Sequence, residues 1–177
     1  LDPDRPTILV TGGSQGARRI NQAMAGAAPA LAAAGVQVLH AAGRPDEVPV
    51  EAAPGAPPYR VIPFIERMDL AYAAADFTVC RSGANTVTEV AAVGLPAAFV
   101  PLPIGNGEQA LNAHPVGGGV LIDDAAFTSA WVEQAVIPLV TDPSALDQMS
   151  RAASDIVRAD AAERLAELIH LAGGERR

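Results

Sequence analysis

Gly12, Gly13 and Ser14 stand directly behind a strand-like run, Thr7 to Thr11, and directly ahead of a helix-like segment. Residues of these types at such a junction hold anions. Glycines let backbone amides approach closely and reach positive φ, and the new helix offers unpaired N–H groups and the positive end of its dipole. Ser14 adds a hydroxyl. A second junction, "CRSGANTVTEV", repeats the plan. There Gly83 turns the chain behind another strand, Arg81 supplies a cation, Ser82 and Thr86 supply hydroxyls, and Glu89 lies just inside the next helix. A carboxylate so placed repels a phosphate at close range, yet it can accept two hydrogen bonds from a ribose diol. Two amide-lined turns on one crevice, with a carboxylate beside them, fit a nucleoside diphosphate: phosphates on the loops, ribose on Glu89. Taken alone, the first loop is equally a tight turn that binds nothing. Taken alone, Glu89 reads better as a first-turn acid complementing its helix dipole.

A third loop, "PLPIGNGEQALNA", leads into a helix that opens with Glu108 and Gln109, whose polar groups suit sugar hydroxyls. Ordinary helix-start chemistry with Asn106 as the cap is the alternative. Two familiar phosphate motifs are excluded. The dinucleotide fingerprint needs glycine where Thr11 stands and an acid closing the second strand, which instead ends "HAAGRP". A P-loop needs Gly-Lys-Ser/Thr, and no lysine is present.

The elements that must position these loops alternate. Strands are expected at Thr7–Thr11, Val36–Ala41, Tyr59–Pro63, Asp76–Cys80, Pro96–Val100 and Gly119–Ile122. Helices are expected at Ala17–Ala34, closed by Gly35, and at Met68–Ala75, Asn85–Val93, Glu108–His114, Ser129–Val140, Ser144–Val157 and Ala161–Ala172. Proline and glycine crowd residues 43–58, an exposed loop with a short helical piece. The alternation predicts an α/β fold, a Rossmann-like doubly wound parallel sheet in strand order 3-2-1-4-5-6. That order reverses its winding between strands one and four, where both glycine loops emerge and where such sheets bind ligands.

The chain of 177 residues suits one domain. Only 4% of residues are aromatic, so the core must be packed from Val, Ile, Leu and Ala. A net charge of -8 argues against nucleic acid as partner and against adhesion to an anionic leaflet. The single cysteine, Cys80, ends a buried strand, excludes a disulfide framework and reads as a core residue. The opening "LDPDRPTILV" enters a strand almost at once and reads as the second half of a longer protein.

"GGSQGA", "RSGANTVTE" and "PLPIGNGEQALNA", in this order and spacing, resemble the C-terminal half of the MurG family. These are bacterial transferases that add N-acetylglucosamine to lipid-linked muramoyl pentapeptide. The resemblance runs from Thr7 to about Leu171. It implies the C-terminal domain of a GT-B glycosyltransferase, with residues 1–177 forming the UDP-sugar (donor) domain and its C-terminal helices. By motif position, Ser14 and Thr86 fall at the diphosphate, with Arg81 beside it, Glu89 falls at the ribose, and Gly13 and Gln15 are further substrate-binding residues. Phe64 and Ile65 flank the uracil; Ala84, Asn85, Glu108 and Gln109 face the sugar. The implied partners are UDP-N-acetylglucosamine and, through an absent N-terminal domain, lipid-linked muramoyl-pentapeptide and the cytoplasmic face of the cell membrane. The implied reaction inverts the anomeric carbon without metal or cofactor, and its base belongs to that other domain. No Asp-x-Asp follows a strand; "DPD" at Asp2–Asp4 is a tail feature, and Asp123–Asp124 end a strand. His40, His114 and His170 read as structural or solvated.

Two departures mark this chain. Glu108 stands where the family often has an amide, and Gly117–Gly119 follow "NAHPV" at once, so either a helix is shortened or residues are missing there. Three rival readings are the catalytic subunit of the split dolichol-diphosphate N-acetylglucosamine transferase, a UDP-sugar epimerase, and a non-enzymatic nucleotide-binding module.

Overall fold

Runs of β-branched and aliphatic residues with buried side chains on both faces make a parallel sheet. The computed structural model describes residues 1–13, 17–50, 53–104, 106–114, 116–154 and 161–174. Its strands are β1 (Thr7–Thr11), β2 (Gln37–Ala41), β3 (Tyr59–Ile62), β4 (Phe77–Cys80), β5 (Ala97–Phe99) and β6 (Gly119–Leu121). All neighbouring pairs are parallel, in the order β3-β2-β1-β4-β5-β6 that the sequence predicts. Thr11 of β1 is in register with Cys80 of β4, so Gly12 and Arg81 leave the sheet side by side.

Alternate residues of each strand serve opposite faces. Ile8, Val10, Phe77 and Val79 join Ile20, Met24 and Phe127 in one core cluster. Leu9, Cys80 and Phe99 join Tyr72, Val87 and Val90 in the other. The first is covered by α1 (Arg18–Gly26), α2 (Ala28–Ala33) and the segment 127–140. The second is covered by α3 (Met68–Ala73), α4 (Ala84–Ala92) and α5 (Glu108–Ala113).

Proline explains two differences from the expected helices. The span Ala17–Ala34 divides at Ala27 because Pro29 has no N–H for the carbonyl of Ala25. Gly35 still closes the second piece at φ 77°, with Val36 donating to the Leu31 carbonyl at 3.0 Å. The span Ser129–Val140 is α6 (Ser129–Trp131), a π turn (Val132–Val136) and α7 (Ile137–Val140). The wider turn stands immediately before Pro138, which again lacks a donor. The helical piece in the proline-rich loop is a 3₁₀ turn, Pro45–Glu47, and a second such turn is Asp124–Ala126. α8 (Pro143–Ser154) and α9 (Ala161–Gly174) complete the chain.

The glycine run after α5, which ends at Ala113, meets close packing. A Cβ on Gly118 would lie 2.5 Å from Ala153 Cβ on α8 and closer still to the Met149 carbonyl. One on Gly119 would lie 2.5 Å from the Phe99 ring.

Candidate functional site

β1 and β4 end together, and each hands the chain to a helix. Gly13 makes the first turn at φ 86°, a conformation that strains any residue with a Cβ. No side chain caps α1, whose N-cap residue is Ala17, or α4, whose N-cap residue is Gly83. Most helices fill that place with Ser, Thr, Asp or Asn. Among the described residues, therefore, no capping side chain claims the amides of either first turn, and both turns line one crevice. Ser14 and Gln15 lie outside the described residues.

The crevice consists of two adjoining cavities that share Thr11, Gly13 and Thr86. The smaller, about 160 Å³, is lined by Ala41, Pro63, Phe64, Ile65, Met68, Tyr72 and Glu89. The larger, about 420 Å³, is lined by Ala17, Arg18, Arg81, Gly83, Leu102 and Gln109. An apolar groove of about 390 Å³ beside α2 lies elsewhere. Among the described residues that line it, the one titratable group is Tyr59, which is already hydrogen-bonded to His40.

At the small end, Glu89 on α4 accepts a hydrogen bond from the Tyr72 hydroxyl of α3 at 2.9 Å. Burial, and then Glu89 itself, push the Tyr72 hydroxyl well above its ordinary pKa, so it stays a donor. Phe64 is 60% exposed at the rim, and Ile65 packs partly against the core.

At the large end, Arg81 is already engaged. Its Nη1 donates to the carbonyls of Val100 and Pro101 at 3.1 and 3.0 Å. The same nitrogen lies 2.6 Å from Asp124 Oδ1, an ion contact between side chains only 13% and 12% exposed. With both N–H groups of Nη1 on carbonyls, Asp124 Oδ1 is left without a hydrogen bond among the described residues. The cation expected beside a diphosphate thus arrives paired, and it clamps the loop after β5 to the turn after β6.

Arg18 is the cation that sequence reasoning missed. It opens α1, lines the larger cavity, is exposed, and has no ion-pair partner among the described residues. Its position in the first turn behind the double glycine was the available signal.

Gln109 turns one polar group inward, since its Oε1 accepts from the Leu102 amide at 3.0 Å, leaving Nε2 as a donor. Glu108 is exposed and lines neither cavity. Ala84 and Asn85 are exposed in the first turn of α4. Ser82 is fully buried, with its hydroxyl unpartnered among the described residues and its carbonyl accepting from Asn112 at 3.2 Å. It cannot offer that hydroxyl to the crevice as it stands. Asn106 does not cap α5; the N-cap residue is Gly107 at φ 75°, and no side-chain cap bond forms.

The histidines are structural or exposed. Asn21 Nδ2 donates to the Ala42 carbonyl at 3.0 Å, which leaves its Oδ1 to accept from His40 Nε2 at 3.0 Å. His40 Nδ1 then accepts from the Tyr59 hydroxyl at 2.9 Å. The chain of bonds keeps His40 neutral and ties α1 to β2 and β3; burial lowers its pKa to about 4. His114 and His170 are exposed. Burial pushes the Cys80 thiol up to about 12, which fits a core residue rather than a nucleophile. Among the described residues, no helix is long and apolar enough to cross a membrane.

Comparison with known proteins places the chain in a family. Residues 7–167 match the glycosyltransferase family 28 C-terminal domain. A Streptomyces collinus protein, named UDP-N-acetylglucosamine--N-acetylmuramyl-(pentapeptide) pyrophosphoryl-undecaprenol N-acetylglucosamine transferase, is 56% identical, covering 100% of this chain and 50% of its own. A protein of the same name from Nocardioides sp. is 60% identical over 96% of this chain and 48% of its own. The crystal structure of Acinetobacter baumannii MurG matches with a TM-score of 0.84 at 32% identity, over 94% of this chain and 50% of that one. The chain spans about half the length of the curated relatives it matches. Sheet order, paired glycine turns and this match agree: the chain belongs to the glycosyltransferase family 28 C-terminal domain family.

Proposed function

We propose that this chain is the donor-binding domain of an inverting transferase that moves N-acetylglucosamine from UDP-N-acetylglucosamine to lipid-linked N-acetylmuramoyl-pentapeptide. One observation carries the reading. Two helices whose N-cap residues, Ala17 and Gly83, bring no capping side chain, α1 and α4, open onto one crevice whose smaller end holds Glu89. Uracil lies between Phe64 and Ile65, ribose on Glu89, and the diphosphate between Gly13, Ser14, Gln15 and Thr86. The sugar reaches toward Ala84, Asn85, Glu108 and Gln109, and Arg81 shapes the wall behind it.

In the reaction, the muramoyl hydroxyl forms a bond to the anomeric carbon while the bond to the diphosphate breaks. Negative charge grows on the departing UDP. Amides already aimed at it stabilise that charge without reorganising, as oxyanion-hole donors do in acyl transfer, where removing one costs about 3 kcal/mol. The acceptor proton goes to a base in an N-terminal domain. That domain also carries the acceptor site and a patch that rests on the cytoplasmic face of the cell membrane. The isolated chain therefore binds donor and does not turn over.

Titration calorimetry with UDP-N-acetylglucosamine, UDP-glucose and UMP tests this reading. The expected order of affinity follows that list, with a large loss for Glu89→Ala. A module that senses phosphate alone would bind all three alike and ignore the substitution, and measurable transfer by the isolated chain would contradict the division of labour.

A further inference from the structure

Glu89 is an exposed side chain on the first turns of α4, and a free glutamate there samples several rotamers. To receive both hydroxyls of a ribose, its carboxylate must present one edge in one orientation. Tyr72 supplies the constraint. It comes from a different helix, α3, and its side chain is held in the core beside Leu9, Val87 and Val90 with 7% exposure. A donor fixed by packing therefore fixes the acceptor: the Tyr72 hydroxyl holds Glu89 Oε2 at 2.9 Å. Each carboxylate oxygen has two lone-pair sites, so one on Oε2 and both on Oε1 remain for the ligand. Both side chains line the same small cavity.

We infer that Tyr72 is a positioning residue, setting the Glu89 carboxylate toward the sugar diol and so making the site selective for ribonucleotides over 2′-deoxyribonucleotides. The inference rests on the placement of ribose at Glu89 proposed above.

The test is calorimetric titration of UDP and 2′-deoxy-UDP into the wild-type chain, Tyr72→Phe, Glu89→Ala and the double variant. Tyr72→Phe removes one oxygen and keeps the ring in the core. The expected result is UDP affinity lowered roughly five-fold, as for one lost hydrogen bond, with 2′-deoxy-UDP little changed. The preference for UDP then shrinks. Any loss of folded protein scales both affinities equally and cancels in their ratio. On the Glu89→Ala background, Tyr72→Phe should cost nothing further, because it acts through Glu89. An unchanged ratio in Tyr72→Phe, or the same cost on both backgrounds, overturns the inference and leaves the ribose placement standing. An unchanged ratio in Glu89→Ala overturns the ribose placement itself, and the inference with it.

Discussion

The two ends of the crevice differ in how much of their chemistry is already arranged. At the small end, the Glu89 carboxylate is held by a buried tyrosine inside a cavity of about 160 Å³. At the large end, about 420 Å³ in volume, the helix amides, Arg18 and Gln109 Nε2 face open space while Arg81 is tied to Asp124. In the proposed reaction the nucleoside is the same before and after transfer, so its site gains from being fixed in advance. The diphosphate changes charge during the reaction, and interactions that strengthen as charge develops are the ones that lower the barrier. On the proposed donor placement, the contrast separates a recognition end from a reaction end, joined through Thr11, Gly13 and Thr86.

Four changes break or sharpen that contrast. The largest strikes both ends alike. Gly118→Val drives a side chain into α8, and chemical denaturation should show a loss of about 3 kcal/mol or more, with UMP and UDP binding falling in proportion. The second acts behind the reaction end, on the His40 network that anchors α1. Burial holds the folded pKa at about 4, below the ordinary histidine value of about 6.5, so neutral His40 favours the fold. Stability from this group is complete above about pH 6.5 and is lost as pH falls toward 4, about 3 kcal/mol in all. Denaturation midpoints across that window should fall with acid, and His40→Gln should flatten the slope. The third isolates the recognition end. Glu89→Ala should weaken UMP and UDP by similar amounts, about 2 kcal/mol each in calorimetry. The smallest isolates the reaction end. Arg18→Ala should weaken UDP by about 1 kcal/mol, spare uridine, and reduce the salt dependence of UDP binding.

Much of this contrast was legible in the sequence because it depends on local signals. Strand order follows from βαβ chirality, and each glycine turn is set by the residues beside it. What stayed hidden joins distant segments. Tyr72 and Glu89 meet because β4 brings the start of α4 back past α3. Arg81 and Asp124 meet only after β5 and β6 have been laid beside β4. Neither pair has a spacing rule. Pro29 was visible in the sequence, yet strong alanine helix propensity masked the break that its missing N–H makes at Ala27. The bury-or-expose choice at Ser82 was illegible too, since the hydroxyl types at 82 and 86 read alike while only Ser82 is sealed by packing.

A crystal structure of this chain with UDP bound tests the central claim most directly. The account predicts both ribose hydroxyls within hydrogen-bonding distance of the Glu89 carboxylate, and the diphosphate between the Gly13 turn and the first turn of α4. A nucleotide lodged away from the carboxyl ends of β1 and β4, or a carboxylate turned from the sugar, would contradict it.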